Sequence, residues 1–136
     1  MPPGKIQKRK LSKGQFRGYW KKAREFEGAM NDNLARGNWN ASAMSGIHAA
    51  ILANDALLIY FHGVKSSSGK HDDAVRLLTT LFKSDEAKSN ARDLGRLINE
   101  KSIVEYTGKL LSPGRGLELC KKAQRFIAWV DSLLPG

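Results

Sequence analysis

The chain has 136 residues, 41% of them hydrophobic, with a formal net charge of +10 at pH 7, a size that supports one domain with a genuine core. A single cysteine, Cys120, excludes an intrachain disulfide, and its helical core spacing reads as a small buried hydrophobe. The charge is uneven: residues 1–24 hold nine Lys or Arg and no acid, while residues 25–136 are nearly balanced, so the basicity belongs to an arm and not to the body of the fold.

In chain order, residues 1–12 read as a flexible basic arm and residues 13–136 as the folded domain. Phe16, Trp20, Ala23, Phe26, Met30 and Leu34 recur every three to four residues, which predicts an amphipathic first helix from about Lys13 to Arg36, ended by Gly37. On its other side Lys13, Arg17, Lys21 and Arg24 form a basic stripe. A second helix runs from about Trp39 to His62 and stops at Gly63. Its stretch Ala41–Phe61 carries no Lys, Arg or Glu and a single Asp, the composition of a helix apolar nearly all round and central to a bundle.

Lys65-Ser-Ser-Ser-Gly-Lys70 reads as a loop, and Ala74, Leu77, Leu78, Leu81 and Phe82 mark a short third helix. Ser84 is placed as an N-cap, with Asp85 and Glu86 in the first turn where the helix dipole favours acids. The fourth helix carries Ala91, Leu94, Leu97, Ile98 and Val104 and is expected to end near Leu111. Ser112-Pro113 then opens a fifth, whose seam is Cys120, Ala123, Ile127, Val130 and Leu134. No segment alternates as a strand, so the expected class is all-α, a single-domain up-and-down bundle of about five helices.

The second helix is long enough to span a bilayer. Asp55 near its middle would cost about 2.5–3.5 kcal/mol there, His48 and Asn54 add to that, and no second span follows, so no membrane association is expected. The first forty residues hold no apolar run of signal-peptide length, which makes a cytoplasmic protein the expectation.

Standard catalytic signatures are missing. Gly114-Arg-Gly116 begins like a dinucleotide fingerprint, but Leu119 takes the third glycine position and no strand precedes it. There is no phosphate-binding Walker loop, no Gly-x-Ser-x-Gly elbow, no His-Glu-x-x-His and no cysteine pair for zinc, so no cofactor and no metal are expected. His48, Asp55 and His62 recur at seven-residue intervals and share a face of the second helix as a polar stripe. Neighbours about 10 Å apart along the axis cannot share one zinc ion. A carboxylate in a core needs a partner, so Asp55 is expected to be held by a Tyr, Lys, Arg or backbone donor, with the two histidines satisfied separately.

The second helix, reading Ala49-Ala-Ile-Leu-Ala-Asn-Asp-Ala-Leu57, the Gly63 turn, His71 at the start of the third helix and Lys101-Ser-Ile-Val-Glu-Tyr106 together resemble the HEPN family (higher eukaryotes and prokaryotes nucleotide-binding domains) over roughly residues 13–134. The resemblance implies a helical bundle, frequently homodimeric, linked to nucleotidyltransferase-type partners, toxin–antitoxin pairs or RNA cleavage. With the polar stripe it motivates the expectation of a homodimer, which light scattering would record as twice the 15.1 kDa chain.

Active members of that family use an Arg followed after four to six residues by a His, for phosphate binding and proton transfer in metal-independent RNA cleavage. Here Lys65 and His71 give only a Lys-x5-His. At Lys101–Tyr106 a lysine stands for the arginine and Glu105 falls near the histidine position. Lysine lacks the bidentate fork of arginine on phosphate. Lys65, His71, Lys101, Glu105 and Tyr106 are therefore eroded catalytic positions, and a noncatalytic binding or assembly module ranks above a degenerate ribonuclease. The nucleic-acid-binding set read from the sequence is Lys5, Lys8, Arg9, Lys10, Lys13, Arg17, Lys21 and Arg24, with Phe16, Tyr19 and Trp20 interleaved as stacking groups or core residues.

Overall fold

Glycines, serines and one proline set the element boundaries. In a computed structural model that describes residues 6–67 and 71–136, the chain is an all-α bundle of five helices with a two-stranded ribbon. The order is β1 (Lys8–Lys10), a 3-10 turn (Lys13–Gln15), α1 (Phe16–Ala35), α2 (Trp39–His62), β2 (Val64–Ser66), α3 (His71–Leu81), α4 (Asp85–Tyr106) and α5 (Pro113–Leu133). Gly37 and Gly63 take left-handed φ values of 71° and 63° just past α1 and α2, a conformation that costs glycine least. The Ser84 and Ser112 hydroxyls accept from the amides of Ala87 and Arg115 at 3.0 and 3.1 Å and so cap α4 and α5.

Helix α2 is the axis. The start of α1 meets the end of α2, with the Phe16 and Tyr60 rings 4.9 Å apart, and Met30 near the end of α1 meets Gly46, so the pair is antiparallel. Helix α5 runs parallel to α2, Gly116 lying against Trp39 and Ala123 against Gly46. Arg115 pairs with Glu100, and Arg125 with Asp93 at 3.8 Å, which sets α4 antiparallel to α5. Glycine is required where three helices meet: a Cβ on Gly46 would sit 2.8 Å from Met30 Sδ and 3.2 Å from Ala123 Cβ. By length and composition α2 could cross a membrane, yet 61% of its most apolar window is buried inside the bundle, which is where that apolarity is used.

Three expectations are corrected. The arm over residues 1–12 is not free in its described part: Lys8–Lys10 pairs antiparallel with Val64–Ser66, and the Leu11 amide donates to the Gly63 carbonyl at 2.8 Å. Ile6 and Leu11 pack onto the core, so two apolar anchors flank a strand whose own side chains are all exposed. The segment after α2, expected as loop, supplies the other strand. Helix α3 starts at His71, as expected, whereas α4 stops at Tyr106 and not near Leu111, because Thr107 turns extended at φ −112° and ψ 160°. Leu110 and Leu111 are therefore off the helix, and the Leu111 amide donates to Asn40 Oδ1 at the start of α2 at 3.0 Å.

Candidate functional site

The β1 strand and the first turns of α1 carry the positive charge. Lys8, Arg9, Lys10, Lys13, Arg17, Lys21 and Lys22 are all exposed, and none forms a salt bridge among the described residues. The sequence supplies part of the reason: the first acid of the chain is Glu25, so Lys8, Arg9, Lys10, Lys13 and Arg17 have no i,i+3 or i,i+4 acid, while Lys21 and Lys22, four and three residues before Glu25, are not within salt-bridge distance of it. Aromatic rings hold several of these cations. Lys13 Nζ lies 4.3 Å from the centroid of the Tyr60 ring, and Arg17 Cζ lies 5.1 Å from that of Phe16. Arg24 differs from its neighbours, since Glu27 at 3.3 Å and Asp131 at 3.9 Å neutralise it at the α1–α5 seam. Lys5 lies outside the described residues.

Gln15, Gly18, Tyr19 and Lys22 fall at i, i+3, i+4 and i+7, one face of the 3-10 turn and α1, and line a surface cavity of about 380 Å³. Gly18 adds no side chain to this lining, and beyond its chain neighbours and its own helix backbone a Cβ there would meet nothing within 4 Å. Gln15 Oε1 accepts from the Ser12 amide at 2.9 Å and from the Ser12 hydroxyl at 3.1 Å, which turns the carboxamide and leaves its NH2 as the donating end. Phe16 is buried and Trp20 half-buried, so of the three interleaved aromatics Tyr19 is the one that lines this cavity.

Behind this surface, Asp55 is 7% exposed and Lys65 Nζ approaches its carboxylate at 3.7 Å. The same ammonium lies 5.2 Å from the centroid of the Tyr19 ring. Burial raises the Asp55 carboxyl to about 6, and the positive charge of Lys65 nearby offsets only part of that rise. Lys65 is thereby engaged as the partner of a core carboxylate. His71, the other half of the Lys-x5-His spacing, opens α3, and its side chain lies outside the described residues.

The polar stripe separates into three environments. His48 is half-buried, its ring centroid 5.5 Å from that of Phe26 on α1; Asp55 is buried; His62 is exposed, edge-on to Phe82 at 5.4 Å. Met44, Ser45, His48, Ile51 and Leu52 are the half-buried positions of α2 between Ser42 and Ile59, at helical spacing, so they form its least covered face. Helices α1 and α4 flank α2 without packing on each other.

On α4, Lys101 Nζ donates to Glu105 Oε2 at 2.6 Å and lies 5.9 Å from the centroid of the 75% exposed Tyr106 ring. The Lys101 hydrogen bond holds the Glu105 carboxyl below its usual range, and the charges of Lys101 and His48 act in the same direction. The charge of His48 on α2 thus acts on Glu105, the α4 residue that falls near the histidine position of the motif. Residue spacing along the chain could not have shown this influence. Gln15, Gly18 and Lys22 were also missed as site residues, although their spacing around Tyr19 was legible.

Among the described residues no group of three or more His, Cys, Asp or Glu is arranged to hold a metal ion. Cys120 is buried, and burial pushes its thiol up to about 11, so it stays protonated at neutral pH. No protein-family model matches the chain, and no curated protein matches it.

Proposed function

We propose that the chain is a HEPN-like, noncatalytic module that binds nucleic acid through the face made by β1 and the start of α1. The observation that carries this reading is the set of seven exposed cations, Lys8, Arg9, Lys10, Lys13, Arg17, Lys21 and Lys22, without salt-bridge partners among the described residues and presented on paired and helical backbone. Cations with no intramolecular acid are available to neutralise phosphates, and release of the counterions condensed on the nucleic acid drives binding. Rigid presentation lowers the ordering cost that a free tail would incur.

The alternative, a degenerate metal-independent ribonuclease, is favoured by one observation, the Lys101–Glu105 pair beside Tyr106 with the charge of His48 acting on the same carboxylate. That arrangement offers an acid–base group and a cation, but the carboxylate already engages the lysine, which competes with a phosphate for it. Incubation with labelled RNA in a chelator separates the two readings. The binding module retains RNA on a filter and leaves it intact; turnover lost in His48→Ala and in Lys101→Ala would establish the ribonuclease instead. A nucleotidyltransferase-type protein partner, implied by the family resemblance, would act through the rest of the bundle surface, and co-purification with such a protein is its test.

A further inference from the structure

Phosphate contacts alone do not distinguish single strands from duplexes, whereas the cavity on the Gln15–Lys22 face contains the parts that an unpaired base would use. An aromatic ring, Tyr19, lines it, and its neighbour Gly18 has no side chain to block approach, with open space where a Cβ would stand. The Gln15 carboxamide is turned by Ser12 so that its NH2 remains to donate, and base carbonyls and ring nitrogens accept. Lys22 closes the far end, unpaired among the described residues, where a sugar–phosphate backbone would need a cation. The Lys65 ammonium, paired with Asp55, lies 5.2 Å from the Tyr19 centroid and adds a cation–π contact to that ring. The volume, about 380 Å³, exceeds that of a single nucleobase, and Gln15, Gly18 and Lys22 of its lining are exposed to solvent.

From this we infer that the cavity bounded by Gln15, Gly18, Tyr19 and Lys22 seats one unpaired base, so that the ligand class of the basic face is single-stranded nucleic acid. The inference rests on the nucleic-acid reading above and narrows it. A base within a duplex is stacked and paired and cannot enter without being extruded, which costs a few kcal/mol. Stacking on an aromatic ring tolerates any base, so the expected preference is for strandedness and not for sequence. The site contains no group committed to a ribose 2′-hydroxyl, and oligouridylate and oligothymidylate distinguish an RNA-specific from a shared ligand chemistry.

The test is fluorescence anisotropy at fixed salt with a labelled oligouridylate, the matching oligothymidylate, and an RNA duplex of the same length. The full chain should bind the single strands more tightly than the duplex. Gly18→Leu, which adds a side chain to the cavity lining at an exposed helix position, should weaken single-strand binding about tenfold and leave duplex binding unchanged. Tyr19→Ala should do the same and Tyr19→Trp should restore it, which separates lost stacking from lost packing. Equal single-strand affinity of Gly18→Leu and wild type, with Lys8, Arg9 and Lys10 replacements still weakening all three probes, would overturn the base site and leave the phosphate-binding face standing. No affinity of the wild type for any probe would overturn both.

Discussion

Asp55 shows how a single group reads out its surroundings. Its carboxyl is raised from 3.8 to about 6 because burial penalises the anion more than Lys65 at 3.7 Å favours it. The folded state therefore binds a proton more tightly than the unfolded state, and folding stability falls as pH rises between about 4 and about 6. A shift of this size corresponds to about 3 kcal/mol across the window. Asp55→Asn keeps the shape without the charge, so the stability of wild type relative to this variant should decline by about 2–3 kcal/mol from pH 4 to pH 7 in urea midpoints. A difference that is flat with pH would mean that Asp55 titrates as an ordinary surface carboxylate. Asp55→Ala at pH 7 is expected to cost less than the 3–5 kcal/mol typical of breaking a fully buried pair, because the Lys65 side chain is 24% exposed and its ammonium can turn to water.

At the scale of elements, α2 depends on what can approach it. Gly46→Ala places a Cβ 2.8 Å from Met30 Sδ and 3.2 Å from Ala123 Cβ, which must both give way, and should destabilise the protein by about 1–3 kcal/mol, the usual cost of overpacking. Gly18→Ala, also within a helix but with open space, should be neutral or stabilise by up to about 1 kcal/mol through helix propensity. Thermal melts of the two variants check the contrast, and equal shifts would deny that three helices meet at Gly46. The sequence pattern carried most of the helical content: the uniform apolarity of Ala41–Phe61 marked the central helix, and Ser84, Ser112-Pro113, Gly37 and Gly63 marked boundaries that hold in the fold. It failed at β1–β2. Lys-Arg-Lys has no apolar alternation, and that strand exists through backbone pairing and the flanking anchors Ile6 and Leu11, contacts that span the chain and leave no local period. The same limit hid the effect of His48 on Glu105 and the partnership of Lys65 with Asp55, each between groups on different elements.

For the whole molecule, the consequence of the docked ribbon is that the strongest charge asymmetry of the chain lies on folded structure. Lys8, Arg9 and Lys10 lie on β1 and Lys13, Arg17, Lys21 and Lys22 on the 3-10 turn and α1 that follow, while several acids of α3, α4 and α5 pair with basic residues of the same helices, as in Asp73–Arg76, Lys101–Glu105 and Arg115–Glu118. The most direct measurement of the proposed phosphate-binding face is the salt dependence of RNA affinity for wild type and for a variant with Lys8, Arg9, Lys10, Lys13 and Arg17 replaced by Ala. Each phosphate contact adds about 0.7 to the steepness of the log–log plot on single strands, so the variant should bind more weakly, with a slope flatter by up to about 3.5 and an unchanged helical circular-dichroism spectrum. Superimposable salt plots for the two proteins would contradict it.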